Sequence, residues 1–557
     1  MKGIYFILIC FLMILFSSNC SKETGDDLTM LDEKISKFVE TDIKYDTTLL
    51  DGKQSEVVEN LYYAAKIMDE IFLDQVYSKN REIHHQLEAS TETIDQKRLK
   101  LFNIMFGPFD RLNHDEPFYG DHQKPLGANF YPEDMTKQEF LQWLEAYPEQ
   151  EKAFTSEFTV IRRSQNGQLT AIPYSVYYQT ELKKAVAYLK QAAESAENLS
   201  LKNYLITRAD AFLSNDYYQS DMAWMDLKDH RIEVVIGPYE VYEDALFNYK
   251  AAFECFITLR DPEESDKLAR FGTYLIDIEK HLPIPDKYKN FDRGLESPIV
   301  VAQEVFSAGD TKAGVQTIAF NLPNDERVRQ AKGSKKVMLK NVSEAKFNKL
   351  LLPIAQKILD NSQLNRITFE AFFNHTLMHE ISHGVGPGFI TVNGRETEVK
   401  KELKETYSTI EECKADILGM YNNLFMIEKG EFPASFEQEV WSTFLAGIFR
   451  SVRFGISEAH GSGNAIIFNF LLEKGGYLFD QSSEKVMVNF DKIYPTVEEL
   501  ATLLLTIEAE GDYQAAQELL QKYAILSTPM EILIAKLSDL PVDIKPVYQI
   551  ENEFIAR

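Results

Sequence analysis

At 557 residues the chain is too long for one ordinary domain, and at roughly 100–200 residues per domain it implies several folding units or two large lobes. A composition 45% hydrophobic and 12% aromatic supplies a sizeable core and excludes general disorder. With 59 Lys+Arg against 86 Asp+Glu, a net charge of −27, the body repels phosphate backbones, so no nucleic-acid partner is expected.

The chain opens on Lys2 and an apolar run over residues 4–16, then Ser17, Ser18 and Asn19 lead into Cys20. This predicts a secretory signal over residues 1–19, too short to span a bilayer. Ending on a cysteine, it resembles a bacterial lipoprotein signal, which implies lipidation of Cys20, a membrane anchor and an exported, outer-membrane location. The bland alternative is an ordinary cleaved signal with Cys20 incidental. Residues 20–30 are polar and acidic, as a tether would be. No later stretch approaches the length of apolar span a membrane helix needs, so the remainder is expected to be soluble. Beyond Cys10 and Cys20 only Cys255 and Cys413 remain, too few for a disulfide framework.

Apolar residues at three- and four-residue spacing predict helices over 56–74, 181–215 and 353–360. Residues 231–238 are β-branched and stop at Gly237-Pro238, as a strand does; 297–305 and 314–320 are strand-like as well, the last ending in the turn signal 321–324. No internal repeat or low-complexity block interrupts them. The expected fold is mainly α with a small β core from the middle of the chain.

The chemistry is concentrated in two helices. One is predicted over 369–384, opened by Thr368 and closed by Gly384, and contains His379-Glu380-Ile381-Ser382-His383. An i, i+4 histidine pair projects two imidazoles from one helical face, as a tetrahedral zinc site needs. Glu380 lies one residue along, placed to take a proton from water. Alone, the string also suits an amphipathic helix with two surface histidines. The next helix, 407–422, carries Glu411-Glu412-Cys413-Lys414-Ala415-Asp416, 29 residues on from His383 to Glu412. Glu412 can be a third ligand, Asp416 can accept the N–H of a ligating histidine, and Glu411 stands with it in support. Three protein ligands for one Zn²⁺ ion leave a position open, the layout of a catalytic site. His375, one turn up the same face, suits packing better than ligation. His84, His85, His114, His122, His230 and His281 have no partner pattern and read as structural.

These motifs resemble the dipeptidyl peptidase III family of zinc peptidases, in its bacterial branch. The EECKAD string at 411–416 matches that family's pattern throughout, while the first motif has the five-residue HExxH form rather than HExxGH. The segments FGPFDRL (106–112), WMDLK (224–228), VVIGPYEVYED (234–244), 321–324, 327–342 and 453–460 are similar to the family too. The resemblance implies two lobes around a wide cleft, one helical with zinc, the other holding a small β barrel. The corresponding limits are 31–255 with 304–350 for the substrate lobe and 256–303 with 351–557 for the zinc lobe. It also implies that Glu233, Asn321 and Asn324 hold the free amino terminus of a short peptide, and that His460 steadies the oxyanion. Family members carry a tyrosine two residues after the carboxylate matched to Glu233; here that position is Val235. No glycine-led Nudix box is present, so no nucleotide substrate is expected. The implied activity is zinc-dependent hydrolysis near the amino terminus of short peptides. The alternatives are a peptide-capturing lipoprotein without turnover, and a metallo-aminopeptidase or oligopeptidase of another register.

Overall fold

The computed structural model describes residues 25, 27–291, 298–456 and 458–555; the leader and Cys20 lie outside them. A short strand, β1 (Phe38–Ile43), leads into α1 (Gly52–Val76), whose buried stripe includes Val57, Leu61, Ala64, Met68, Ile71 and Phe72. A capping box fixes its start: Gln54 N donates to Asp51 Oδ1 at 2.8 Å while Asp51 N donates to Gln54 Oε1 at 3.1 Å. The single helix expected over 181–215 is two, α2 (Gln179–Ser195) and α3 (Leu199–Ser214). Asn198 divides them, because its side chain accepts from Leu201 N at 2.9 Å and starts a new helix where periodicity alone would run on.

Five strands, β2 (Ile232–Glu240), β3 (Ala252–Arg260), β4 (Ile299–Gly309), β5 (Ala319–Leu322) and β6 (Lys335–Leu339), form one sheet in the order β2-β3-β4-β6-β5. Strands β4 and β6 are parallel, the other neighbours antiparallel. The expected barrel does not close: among the described residues no ladder joins β2 to β5. The four-residue β5 is too short to line the nine-residue β2, and Asn324, just beyond β5, reaches across with Nδ2 donating to Tyr239 O at 3.1 Å and to Glu240 Oε1 at 3.3 Å.

Strand alternation sends the two faces of this sheet into different cores. Val337 and Leu339 of β6 and Leu322 of β5 enter a first core shared with α1, α2 and α3, whereas Met338 enters a second, helical one. Lys336 shares the face of Met338, and Asn321 lies directly across the ladder from it. Both therefore face the helical half.

That half is built from α4 (Phe369–Ser382), α5 (Tyr407–Glu428), α6 (Phe436–Ser451), α7 (Ala459–Lys474) and α8 (Ile493–Glu510). Leu377, Ile417, Leu445, Ile467 and Leu504 are fully buried at its centre. The last strand, β7 (Asp543–Tyr548), returns to pair in parallel with β1, so Ile544, Tyr548 and Ile550 join the first core rather than the helical one. Strand β3, which the expected limit at 255 would cut, likewise lies wholly with the first core. Cys255 and Cys413 are free and buried in separate cores. Among the described residues no helix is long and apolar enough to cross a membrane.

Candidate active site

Thr368 opens α4 by accepting from Ala371 N at 3.3 Å. Helical spacing then sets His379 and His383 on one face, their rings perpendicular and their Nε2 atoms 3.1 Å apart. Helix α5 packs close across them because position 419 is glycine; a Cβ there would stand 3.1 Å from His379 N. Gly463 gives α7 the same closeness to α5, where a Cβ would stand 3.1 Å from Cys413 N. This packing brings Glu412 Oε2 to 3.4 Å from His379 Nε2 and 3.7 Å from His383 Nε2.

Ligand bonds of about 2.0–2.1 Å at tetrahedral angles place donor atoms roughly 3.3 Å apart, so these separations suit one zinc ion. Two further observations agree. Glu412 Oε2 is buried without a hydrogen-bond partner, as an atom aimed at a metal would be. Each imidazole is also committed through its other nitrogen: His379 Nδ1 donates to Asp416 Oδ1 at 2.7 Å and His383 Nδ1 to Glu411 Oε1 at 2.8 Å. Both Nε2 lone pairs are thereby turned to one point. Among the described residues, His379, His383 and Glu412 form the group able to hold a metal.

The electrostatics reflect this crowding. Against the downward pull of burial, Asp416 and Glu412 hold the His379 imidazole well above its ordinary value. Against the upward push of burial, the neighbouring His379 and His460 imidazoles hold the Glu412 carboxyl far below its own. Behind the site Asp416 also accepts from Asn464 at 2.9 Å, and Glu411 from Lys414 at 3.0 Å. Lys414 stands 3.7 Å from the fully buried Glu508, whose carboxyl burial raises to about 8 despite that neighbour.

Glu458 caps α7 by accepting from Gly461 N at 2.7 Å, which sets His460 in the first turn with Nδ1 3.1 Å from Glu412 Oε2. From the sheet side, Lys336 reaches Glu380, its ammonium 3.4 Å from the carboxylate and donating to the main-chain carbonyl. His379, Glu380 and His460 open into a cavity of about 580 Å³ between residues 315–319 and helix α6. His375 lines it but donates Nε2 to Asp416 O at 3.1 Å and lies tilted against Phe444, ring centroids 4.5 Å apart; burial lowers its pKa to about 4.

Seven expected residues thus converge: His379, Glu380, His383, Glu411, Glu412, Asp416 and His460. Glu233 does not join them. It is buried at 1% exposure, 2.6 Å from His230 Nε2 and 3.1 Å from Lys335 Nζ, so its charge is already paired and closed to a ligand in the cleft. The carboxylate beside Asn324 is Glu240, whose Oε1 accepts from Asn324 Nδ2 at 3.3 Å. Burial raises its carboxyl from the ordinary value, as expected of an acid short of a cation. Two residues on stands Tyr242, 79% exposed and within the electrostatic reach of Glu412. Val235 is buried in the first core, so it bears on no hydroxyl at the site. The spacing of a glutamate and a tyrosine two residues apart, visible in EVY at 240–242, was the signal for this pair. Asn321 faces the cleft from β5 with Oδ1 buried and unpartnered.

A family model described as Peptidase family M49 matches residues 148–404. The chain is 69% identical to dipeptidyl peptidase III from Caldithrix abyssi, with a TM-score of 0.93 over 94% of this chain and 99% of that one. The enzyme of Corallococcus sp. strain EGB is 42% identical, with a TM-score of 0.82 over 94% and 98%. Nudix hydrolase 3 of Arabidopsis thaliana is 38% identical over 95% of this chain and 75% of its own length. Human dipeptidyl peptidase 3 is 24% identical over 63% of this chain and 54% of its own length, so that match spans about half of the relative.

Proposed function

The chain belongs to peptidase family M49, and we propose how its residues divide the work of a zinc-dependent dipeptidyl peptidase. His379, His383 and Glu412 hold the zinc ion, and Asp416 and Glu411 fix the two imidazoles. Zinc held there would supply a Lewis acid for the scissile carbonyl and would lower the pKa of water beside it. Glu380 accepts the proton of the attacking water and passes it to the leaving amine. His460 donates to the oxyanion, a role usually worth about 3 kcal/mol. The amino end of the peptide sits between the Glu240 carboxylate and the Asn321 and Asn324 amides, with Tyr242 supplying a hydroxyl toward the reacting carbonyl. An ammonium pairs well with one carboxylate and two amide oxygens.

The observation that carries this reading is the convergence of two Nε2 atoms and one orphaned carboxylate oxygen at 3.1–3.7 Å beside Glu380. Turnover of dipeptidyl-naphthylamides with and without chelator, together with product masses from a defined hexapeptide, tests it. Release of two-residue products that stops on metal removal is expected; single residues, internal fragments or binding without cleavage would contradict it.

The apolar leader before Cys20 supports a further part of the reading, an exported lipoprotein held at the outer membrane by acyl chains on Cys20. Metabolic labelling with a radioactive fatty acid tests this. Label on the wild type and none on Cys20→Ser is the expected result, and an unlabelled wild type would overturn it.

A further inference from the structure

The cavity beside the metal centre contains a cation that the mechanism does not use. Arg450, on the face of α6 that also presents Phe444 and Gly447, lines this space together with residues 315–319. Among the described residues no carboxylate pairs with its guanidinium; the nearest aromatic contact is the Phe372 ring, 5.8 Å from its centre. The two acids whose charge it feels are Asp543 and Asp416. Both are engaged elsewhere. Asp543 takes Lys346 Nζ at 2.9 Å and Gln316 N at 2.7 Å. Asp416 takes His379 at 2.7 Å and Asn464 at 2.9 Å. Lys346, which also borders the cavity, is satisfied by Asp543 and by Gln316 O. Arg450 alone keeps its charge-assisted donors for something that enters. The half-buried guanidinium borders the cavity with no anion beside it, and a rigid fork of donors is best matched by a carboxylate.

The sheet supplies the direction. Strand β5 is an edge of the sheet, free for an extended peptide to pair with. Asn321 and Asn324 mark the end where the peptide's amino group is held. A peptide antiparallel to β5 then runs back past the metal residues toward residues 315–318, where Arg450 waits.

Resting on the peptidase reading, we propose that Arg450 binds a carboxylate on the leaving side of the peptide, so that short substrates are held at both ends. Two sources share that chemistry, the free α-carboxylate at the peptide's carboxyl terminus and an acidic side chain. The geometry of a short peptide threading from Asn324 favours the first.

The test compares kcat/KM for one tetrapeptide as free acid, as carboxyl-terminal amide, and as an amide ending in glutamate. Each is measured with wild type, Arg450→Met and Arg450→Lys, the amide serving as reference within each enzyme so that a general loss of fold cancels. Wild type is expected to favour the acid roughly 10- to 100-fold, mainly through KM. Arg450→Met brings the ratio close to one, and Arg450→Lys restores part of it. Rescue of the amide by its terminal glutamate would support the carboxylate site and assign it to side chains as well. An acid-to-amide ratio near one in wild type, or one undiminished in Arg450→Met, overturns the proposal. Failure of wild type to cleave a dipeptidyl-naphthylamide, whose leaving group has no carboxylate, is a separate result that overturns the peptidase reading beneath it.

Discussion

Lys336 of β6 places its ammonium 3.4 Å from the Glu380 carboxylate and donates to the Glu380 main-chain carbonyl, so one side chain ties the sheet to the metal helix at the residue that moves the proton. The carbonyl lies in the last turn of α4, where helical acceptors lack partners and a lysine is well suited to cap them. Replacing Lys336 by methionine removes both contacts. We expect kcat for a dipeptidyl-naphthylamide to fall roughly tenfold, one lost charge-assisted hydrogen bond, with a smaller change in KM. Lys336→Arg should recover part of kcat, which a purely structural defect would not allow.

Glu380 touches no ligand position itself. Glu380→Gln keeps the shape and removes the base, so kcat should drop by about 10²–10⁴ while zinc content stays at the wild-type level. Metal loss in this variant would move Glu380 from proton transfer to ligation.

Asp416 and Glu411 act through the imidazoles they hold. Asp416→Asn or Glu411→Gln should weaken zinc binding about 10- to 100-fold in a competition titration with a chromophoric chelator. Unchanged affinity would show that packing alone orients the rings.

Glu233 and Glu240 separate by pH and by substrate. Although burial pushes Glu233 up, Lys335 and His230 hold it at about 2, below the ordinary 4.5. Between those values the unfolded chain binds more protons, so the stabilisation is complete above about 4.5 and is lost as pH falls toward 2. Glu233→Gln strands Lys335, so it should cost about 3–5 kcal/mol near neutral pH and flatten the acid limb of the Tm profile. Glu240→Gln should instead raise KM for peptides with a free amino terminus, with little effect on the acid limb.

Local rules made much of the site legible. The metal helix expected over 369–384 is Phe369–Ser382, because Thr368 is a strong cap and the apolar spacing is regular. The second helix starts at Tyr407 as expected but runs on to Glu428, since nothing in residues 423–428 breaks it. What sequence could not supply was partnership at long range. Strands β3 and β6 are fixed by neighbours far along the chain, and β7 by pairing with β1 across nearly its whole length. The strand expected over 314–320 begins only at Ala319, because Gly314 is held by Ile104 and Gln316 by Lys346 and Asp543 rather than by a ladder, and the chain meets β6 only from Ile318, whose carbonyl accepts from Leu339 N. The different surroundings of the two carboxylates have the same origin. Glu233 and Glu240 lie on one strand, and only the fold reveals that Lys335 occupies the first and leaves the second beside Asn324. Lys336 and Arg450 were not legible at all, since a lysine in a strand and an arginine in a helix are ordinary until the opposite wall is known.

The direct test of the central claim is X-ray absorption at the zinc edge on the purified chain, quantified against protein. One zinc per chain is expected, with two imidazole nitrogens and carboxylate oxygen at about 2.0–2.2 Å, lost in a His383→Ala variant. Absence of stoichiometric zinc, a sulfur neighbour at about 2.3 Å as from Cys413, or zinc retained unchanged in that variant would contradict it.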